Sequence, residues 1–208
     1  MKQIEQFFKE SNGSFNQFFK KYTEHFFDLA KSVDIGSIKK LIDALLEARE
    51  RGSMIFMVGN GGSAATASHF AEDLALCAGA REDKPFRTLS LSDSVPYLSA
   101  LGNDEGYDKV FVGQLRNLYK PDDILIVFSG SGNSPNLISA INYVNSKGGH
   151  TVGILGFDGG EAKKCCSHAI TAVSPKGHYG PVESLHLLLI HIISNFLFCR
   201  LNSKENKR

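Results

Sequence analysis

Short apolar runs, each followed by a loop rich in glycine and serine, recur along this chain and limit most strongly the folds it can adopt. Residues 54–58 lead into the loop 59–63, and residues 124–128 lead into the loop 129–134. Continuous apolar runs bounded by glycine are typical of strands that are buried on both faces of a sheet. Further strands are predicted at residues 88–91, 151–155 and 169–173. Because strands alternate with helices, we predict an α/β fold, a three-layer sandwich with a central parallel sheet flanked by helices.

The N-terminal third of the chain has a different pattern. Aromatic residues recur at helical spacing from Phe7 to Phe27, residues 11–14 interrupt them, and residues 35–51 predict a further helix. Such an aromatic arm would expose a large apolar patch unless another surface covered it. We therefore expect oligomerisation, and we divide the chain into three parts. These are a helical oligomerisation arm packed on the domain (1–52), an α/β domain (53–200) and a charged tail (201–208).

Charge and cysteine content exclude several classes of function. The 208 residues carry a formal net charge of +1, so no basic surface for nucleic acid or for a membrane is indicated. None of the four cysteines forms a CxxC pair, which favours reduced thiols in the cytoplasm. The most apolar segment, residues 185–198, is interrupted by His186, His191 and Asn195, which favours a buried helix over a membrane span. The N-terminus lacks the pattern of a signal peptide. We expect a cytoplasmic protein without nucleic-acid or membrane partners.

The loop 129–134 has the composition of a phosphate site. Its hydroxyls belong to Ser129, Ser131 and Ser134, and Gly130 lets the backbone come close to a ligand. Ser134 followed by Pro135 is typical of a helix start, where free N–H groups and the positive end of the helix dipole favour an anion. An ordinary capped turn would use the same residue types. The concentration of serines between a buried strand and a helix favours phosphate.

The loop 59–63 offers related but weaker chemistry. It lacks the Gly-Lys-Ser/Thr ending of an ATP-binding loop, and its glycines have the wrong spacing for a dinucleotide loop. A helix is predicted to follow from about Ala64. With one hydroxyl, on Ser63, this loop better suits the hydroxyls of a sugar near the point where the strand order of the sheet reverses.

Ionisable residues on two predicted helices could form a metal or acid–base site. His69 and Asp73 are four residues apart and therefore share one helical face, although a surface pair would have the same spacing. Glu183, His186 and His191 lie in or beside the apolar C-terminal helix, where an unpaired charge would be costly. Glu183 and His191 are separated by about 12 Å along a helix. They can bind one ion only if Glu183 precedes the helix, or if they come from different subunits.

Five segments of the sequence resemble a known family. They are GNGGSAATASHFAEDL, LSALGNDEGYDKVF, VFSGSGNSPN, GFDGG and ESLHLLLIH, in this order between about residues 54 and 191. They are similar to the sugar-isomerase (SIS) domain, and specifically to the sedoheptulose 7-phosphate isomerases, or phosphoheptose isomerases. The resemblance implies an SIS-type, flavodoxin-like fold and a homotetramer with active sites at subunit interfaces. It also implies one Zn²⁺ ion per subunit and an aldose–ketose isomerisation that supplies heptose for lipopolysaccharide or capsule.

The resemblance also implies roles for individual residues. Asp73 and His191 would be the acid–base pair, with Glu72 as a second candidate for the base. The metal ligands would be His69, Asp73, Glu183 and His191. The residues binding the phosphate would be Ser129, Gly130, Ser131 and Ser134, and those contacting the sugar would be Asn60, Gly61, Ser63, Asn103, Asp104 and Glu183.

Three positions depart from the family pattern. Asp73 stands where the family usually has Glu, Glu183 where it usually has Gln, and Gly180 where it often has Asp. A small displacement of a catalytic base can cost about a hundredfold in rate. Two alternatives therefore stay open: an isomerase of another ketose phosphate, and a non-catalytic SIS protein that binds a phosphosugar or a protein such as a replication initiator. A binding module has no need for His69, Asp73 and His191 together, which favours an enzyme.

Overall fold

The sheet is parallel and contains the five strands that the apolar runs predict. The structure, a computed structural model, describes residues 2–77 and 84–203. Each strand end lies within one residue of its predicted position. The strands are β1 (Met54–Val58), β2 (Arg87–Ser90), β3 (Ile124–Ser129), β4 (His150–Gly156) and β5 (His168–Ala172). Almost every residue of β1, β3 and β4 is buried, as expected for strands covered on both faces.

The strand order places a crevice at the carboxyl edge of the sheet. The order is β2-β1-β3-β4-β5, which is the flavodoxin-like order that the resemblance implies. From β1 the chain first runs outward to β2 and then returns to β3 on the other side of β1. Because the direction reverses there, the loops that follow β1 and β3 diverge and leave an opening between them. The two glycine- and serine-rich loops are these two loops.

Helices cover both faces of the sheet and make the predicted three-layer sandwich. One apolar core lies between the sheet and α3, α4 and α9, and the other lies between the sheet and α6, α7 and α8. Two short turns, a π-helical turn at Asp73–Cys77 and a 3-10 turn at Tyr107–Lys109, complete the elements of the described residues. The helices are α1 (Lys2–Glu10), α2 (Phe15–Lys31), α3 (Ile35–Arg51), α4 (Gly62–Glu72), α5 (Val95–Asp104), α6 (Val112–Leu118), α7 (Pro135–Ser146), α8 (Gly160–Cys165) and α9 (Tyr179–Asn202).

Local signals explain where α3 begins and ends. The Asp34 carboxylate accepts hydrogen bonds from the backbone N–H groups of Gly36 and Ser37, which satisfies two otherwise free donors of the first turn. Gly52 ends the helix with a φ of 70°, a conformation that glycine adopts without steric cost. The predicted bounds of this helix are confirmed.

The N-terminal helices leave aromatic side chains in solvent. Residues 11–14 separate α1 from α2, as predicted, and α3 packs its apolar face into the core. Four phenylalanines of α1 and α2, at positions 8, 15, 19 and 27, are more than half exposed. The role of this arm in oligomerisation stays a prediction. Of the predicted charged tail, α9 takes up the first residues, and residues 204–208 lie outside the described part of the chain.

The last helix, α9, is the most apolar element. By length and composition alone it is the one described helix that could cross a membrane. Its buried face, which includes Leu185, Ile190 and Ile193, packs on the sheet in the larger of the two cores. The same helix carries Glu183, His186 and His191, so it fits the predicted core helix.

Candidate active site

The two loops and the first turn of α9 enclose one polar cavity at the carboxyl edge of the sheet. Its volume is about 130 Å³, and it lies where the strand order reverses. Its lining residues are Asn60, Ser63, Phe128, Ser129, Gly130, Ser131, Ser134, Leu137, Tyr179 and Glu183. The structure therefore brings together seven of the residues that the sequence predicts as ligands of a sugar phosphate.

The serine loop keeps its hydroxyl protons free. The Ser129 hydroxyl oxygen accepts the backbone N–H of Gly132 at 2.9 Å, and that of Ser131 accepts the N–H of Asn133 at 3.3 Å. Ser134 is the N-cap residue of α7, as predicted, but its side chain makes no capping bond. Each hydroxyl can therefore donate to an anion, and the free N–H groups of α7 start at the same point.

Tyr179 packs directly on the backbone of the serine loop. A Cβ atom on Gly130 would lie 2.9 Å from Cδ1 of Tyr179, closer than real side chains approach, so this contact requires glycine at position 130. On its other side the Tyr179 ring contacts Phe157, with ring centroids 5.0 Å apart. Sequence reasoning did not find Tyr179, because nothing in its own segment relates it to the loop after β3.

Asn60 is held by a pair of reciprocal hydrogen bonds. Its amide donates to the Asn136 side-chain oxygen at 3.0 Å and accepts from the Asn136 amide at 2.8 Å. The Tyr107 hydroxyl also donates to the Asn60 side-chain oxygen, at 3.0 Å. Asn136 is buried at the start of α7, so it links the loop after β1 to the serine loop. Asn136 stands in the SPN segment of the sequence, which is the one signal that could have pointed to it.

The start of α4 depends on glycine. Gly61 is its N-cap residue, with a φ of 55° that other residues adopt only with strain. A Cβ atom on Gly62 would lie 2.5 Å from Oε2 of Glu183, so a side chain there would displace this carboxylate. The Glu183 carboxylate lies at the N-terminus of α4, where the helix dipole stabilises negative charge. Gly61 and Gly62 thus hold the first turn of α4 open towards the cavity.

Glu183 and His191 do not meet within this subunit. Glu183 lies inside α9 and lines the polar cavity, whereas His191 is two turns further along the same helix. One of the two predicted arrangements, in which Glu183 precedes the helix, is therefore absent. The remaining arrangement, in which the two residues of one site come from different subunits, stays a prediction.

His69, Asp73 and His191 form a compact group between α4 and α9. One ligand atom from each residue lies within 4.8 Å of the others. The Nε2 atoms of the two histidines are 3.3 Å apart, and His69 Nε2 is 3.7 Å from Oδ1 of Asp73. The π-helical turn begins at Asp73, whose side chain is mostly buried, while the neighbouring Glu72 is exposed. The structure thus places Asp73 rather than Glu72 beside the histidines.

The spacing of this group suits a divalent metal. Two imidazole nitrogens bound to one tetrahedral Zn²⁺ at about 2.1 Å lie roughly 3.4 Å apart, close to the separation of the two Nε2 atoms. Two imidazoles and one carboxylate are also a donor set that leaves a fourth position open for substrate or water. The three residues therefore fit a metal ion, although the donor set does not select zinc over other divalent ions.

Asn103 and Asp104 lie away from the cavity in this subunit. They end α5, a helix with no buried residue, and the Asn103 amide donates to the Asp104 carboxylate at 2.8 Å. From this region it is Tyr107 that reaches the cavity, through Asn60. A contact of Asn103 or Asp104 with the sugar stays a prediction.

His186 belongs to the core rather than to the site. Its side chain is fully buried in α9, and its ring lies 6.3 Å from the ring of Phe128, centroid to centroid. Burial lowers the pKa of His186 to about 4, so the ring is neutral at pH 7. Phe128 immediately precedes the serine loop, which means that His186 supports the floor of the cavity.

Known proteins resemble this chain in sequence and in fold. Residues 17–156 match the SIS domain family. The phosphoheptose isomerase of Pelobacter propionicus is 37% identical over 153 residues, which cover 74% of this chain and 79% of the relative. Phosphoheptose isomerase 1 of Campylobacter jejuni is 35% identical over 162 residues, covering 78% of this chain and 86% of the relative.

A solved structure extends the likeness to three dimensions. The phosphoheptose isomerase GmhA of Neisseria gonorrhoeae superposes with a TM-score of 0.80 at 25% identity, covering 88% of this chain and 98% of that one. The fold is that of an SIS-domain protein. The chain belongs to the SIS domain family and, within it, to the phosphoheptose isomerases.

Proposed function

We propose that this chain is an aldose–ketose isomerase that converts sedoheptulose 7-phosphate into D-glycero-D-manno-heptose 7-phosphate. The observation that carries the proposal is that α4 and α9 border both the serine-lined cavity and the group of His69, Asp73 and His191. Such a reaction requires a phosphate anchor and an acid–base group in one site, and association of subunits would bring the two together. The membership of the phosphoheptose isomerase family supports the same substrate.

The phosphate is proposed to bind at the serine loop. Ser129, Ser131 and Ser134 would donate their hydroxyl protons to its oxygens, and the N-terminus of α7 would add its dipole. Among the described residues, no lysine or arginine lines this cavity, so the proposed recognition rests on hydrogen bonds and on the helix dipole. The sugar would extend towards the loop after β1, where Asn60, Gly61 and Ser63 lie.

The reaction moves one proton between two neighbouring carbons. In the open-chain ketose, the Asp73 carboxylate would take the proton from C1, while the His191 imidazole would protonate the oxygen on C2 to give an enediol. His191 would then take the proton from the oxygen on C1, and Asp73 would return its proton to C2, which gives the aldose. A positioned acid or base of this kind contributes about 10²–10⁴-fold to the rate.

A divalent metal, with zinc as the first candidate, would be held by His69, Asp73 and His191. When bound, such an ion polarises a carbonyl oxygen and stabilises the charge that develops on it. Asp73 has two carboxylate oxygens and His191 two ring nitrogens, so each has one atom for the ion and another for the proton. Glu183 would complete the ligand set from a second subunit.

A homotetramer with active sites between subunits fits the exposed surfaces. The aromatic residues of α1 and α2 are exposed in the single chain, and an apolar groove of about 530 Å³ runs between α3 and α9. Association of subunits would cover both surfaces. We also propose that the enzyme acts in the cytoplasm and supplies heptose for lipopolysaccharide or capsule.

Glu183 favours a second candidate, an isomerase that acts on another ketose phosphate. Its carboxylate lines the cavity without any hydrogen bond or ion pair to the described residues, and it adds negative charge beside an anionic substrate. The same carboxylate accepts hydroxyl groups well, which would suit a sugar of different length or stereochemistry. A panel of ketose phosphates, compared by kcat/KM, separates the two candidates, because the true substrate gives the highest value.

The direct test follows the sugar by ¹H NMR. We expect the purified chain with Zn²⁺ to convert sedoheptulose 7-phosphate into an aldoheptose phosphate, and a chelator to stop the conversion. Glu72→Gln serves as the matched control for Asp73→Asn, because Glu72 is the exposed neighbour of the proposed base. The proposal is wrong if sedoheptulose 7-phosphate binds but is not converted with Zn²⁺ or another divalent ion present.

A further inference from the structure

Tyr179 separates the serine-lined cavity from a second cavity. The first cavity, of about 130 Å³, holds the serine loop, and the second has a volume of about 390 Å³. Tyr179 lines both of them. The other residues that line the second cavity are Ile4, Glu5, Tyr22, Gly177, His178, Gly180 and Pro181. The Tyr179 side chain is therefore a wall with space on either side.

The ring of Tyr179, rather than its hydroxyl, makes this wall. The ring packs edge-on against Phe157 at an interplanar angle of 75° and lies in direct contact with the backbone of Gly130. The hydroxyl makes no hydrogen bond to any residue that the structure describes. Two contacts thus fix the plane of the ring, and neither depends on the phenolic oxygen.

The wall closes the phosphate end of the cavity. Tyr179 and Glu183 are four residues apart in α9, so both point from the same face of the helix. Glu183 lies against the start of α4, on the side of the sugar loop, whereas Tyr179 lies against Gly130 in the serine loop. A ligand whose phosphate sits on the serines would thus meet Tyr179 beyond that phosphate, on the side away from its sugar.

We propose that Tyr179 is a specificity-determining residue that restricts the site to terminal phosphate monoesters. A phosphodiester carries a second ester group on its phosphate, and the ring occupies the space that this group needs. Such a clash acts against the wrong ligand without adding affinity for the right one. This inference rests on the proposed phosphate site at Ser129, Ser131 and Ser134.

The second cavity shows what removal of the ring would change. Without the ring, a group beyond the phosphate would enter the space of about 390 Å³ lined by His178 and Tyr22. The lining of this cavity includes the apolar side chains of Ile4, Tyr22 and Pro181, so an ester group would fit there. Opening the wall would therefore admit larger phosphate compounds rather than only weaken the binding of small ones.

The test measures binding to the full chain by calorimetry, with inorganic phosphate, methyl phosphate and dimethyl phosphate as probes. The one ester group of methyl phosphate can lie on the sugar side, whereas the second ester group of dimethyl phosphate would lie on the side of Tyr179. We expect the wild-type chain to bind phosphate and methyl phosphate at least about tenfold more tightly than dimethyl phosphate. The lower negative charge of dimethyl phosphate also weakens its binding, so the variants measure the contribution of the ring.

Two variants separate the effect of the ring from that of charge. In Tyr179→Ala we expect the preference for methyl phosphate over dimethyl phosphate to fall to about a third of its wild-type value or less, whereas Tyr179→Phe, which keeps the ring, should retain the wild-type preference. Circular dichroism shows whether Tyr179→Ala has folded, and the wild-type preference is measured without that variant. Equal wild-type affinity for methyl phosphate and dimethyl phosphate, or an unchanged preference in folded Tyr179→Ala, would overturn the inference.

The binding experiment tests the role of Tyr179 separately from the proposed isomerase activity. If sedoheptulose 7-phosphate is not isomerised but the three probes bind as expected, the proposed reaction is wrong and the proposed role of Tyr179 stands. If the sugar is isomerised but the preference does not depend on the ring, the role of Tyr179 is wrong. A chain that binds no phosphate at all contradicts both.

Discussion

The serine-lined cavity and the group of His69, Asp73 and His191 are held in position by different means. Backbone conformation shapes the serine loop, where glycine is required at Gly130 and hydroxyl oxygens accept backbone N–H groups. The second group depends on side chains that meet between α4 and α9. A site formed by backbone groups keeps its geometry when nearby side chains change. A site formed by side chains changes when one of them is substituted. The departures at Asp73 and Glu183 lie in parts of the site that depend on side chains, so the chemistry is easier to alter than the phosphate binding.

The largest expected effect is that of Asp73→Asn, which should impair the acid–base group and leave phosphate binding at the serine loop intact. Asp73→Asn keeps the shape of the side chain but removes its ability to take a proton, so we expect kcat to fall by about 10²–10⁴-fold. The affinity for inorganic phosphate should stay within about twofold of wild type, because the serine loop is untouched. Steady-state kinetics and calorimetry measure the two quantities. Equal losses of kcat and of phosphate affinity would show that the two regions are not independent.

The complementary change is in the serine loop. Ser131→Ala removes one hydroxyl donor to a charged ligand, and we expect KM to rise by about 10–100-fold, because such hydrogen bonds contribute roughly 1.5–3 kcal/mol. The turnover number should change far less, since the acid–base group is intact. The same kinetic assay gives both parameters. A fall in kcat at unchanged KM would reverse the assignment of the two regions.

His186 offers a way to disturb both regions at once. Its ring packs under Phe128 while its helix carries Glu183 and His191. The unfolded chain takes up a proton near pH 6.5, and the folded chain takes it up only near the lowered pKa of about 4. Stability is therefore fully present above pH 6.5 and is lost as the pH falls towards 4, by about 2 kcal/mol between roughly pH 7.5 and 5.

Urea unfolding of wild type and His186→Phe at these two pH values measures this loss. Phe keeps a ring of similar size and has no titratable group, so the variant should lose about 2 kcal/mol less than wild type between the two pH values. Because the comparison is made within each protein, a general destabilisation by the substitution does not affect it. The same pH dependence in both proteins would mean that His186 is not the group responsible.

The smallest expected effect concerns the link between the two loops. Asn136→Ala removes the two hydrogen bonds between the Asn136 and Asn60 side chains, and we expect KM for the sugar phosphate to rise by about five- to tenfold, since a net hydrogen bond contributes about 1 kcal/mol. Asn136→Asp keeps an acceptor for the Asn60 amide and should recover part of this loss, which a purely structural role would not predict. Inhibition by inorganic phosphate should be unaffected in both variants. A change in that inhibition would mean that Asn136 supports the serine loop itself.

The sequence predicted the parts of the molecule that depend on local patterns. Buried parallel strands appear as apolar runs, and a helix start such as Ser134-Pro135 is written in neighbouring residues, so the sheet and the serine loop were predictable. The spacing of His69 and Asp73 was sufficient to place them on one helical face. The resemblance to the phosphoheptose isomerases supplied the strand order, which no local pattern contains.

The remaining features depend on contacts between distant segments. Asn136 reaches Asn60 because the parallel sheet brings the carboxyl ends of β1 and β3 together, and Tyr179 reaches Gly130 because α9 begins beside the loop that follows β3. The π-helical turn at Asp73 could not be predicted from residue spacing, because that analysis assumes 3.6 residues per turn. The separation of Glu183 from His191 follows from the rigid rise of a helix, which the sequence did indicate as a difficulty.

Gly62 constrains which substitutions the active site of this family can accept during evolution. Because glycine has no side chain, there is room for the Glu183 carboxylate, although the two residues are far apart in the sequence. A methyl group at position 62 would expel that carboxylate and so alter the charge of the cavity without touching α9. Positions 62 and 183 should therefore covary among relatives, with a bulkier residue at the first accompanied by a shorter side chain at the second. The charge of the active site would then depend on the residues at both positions together.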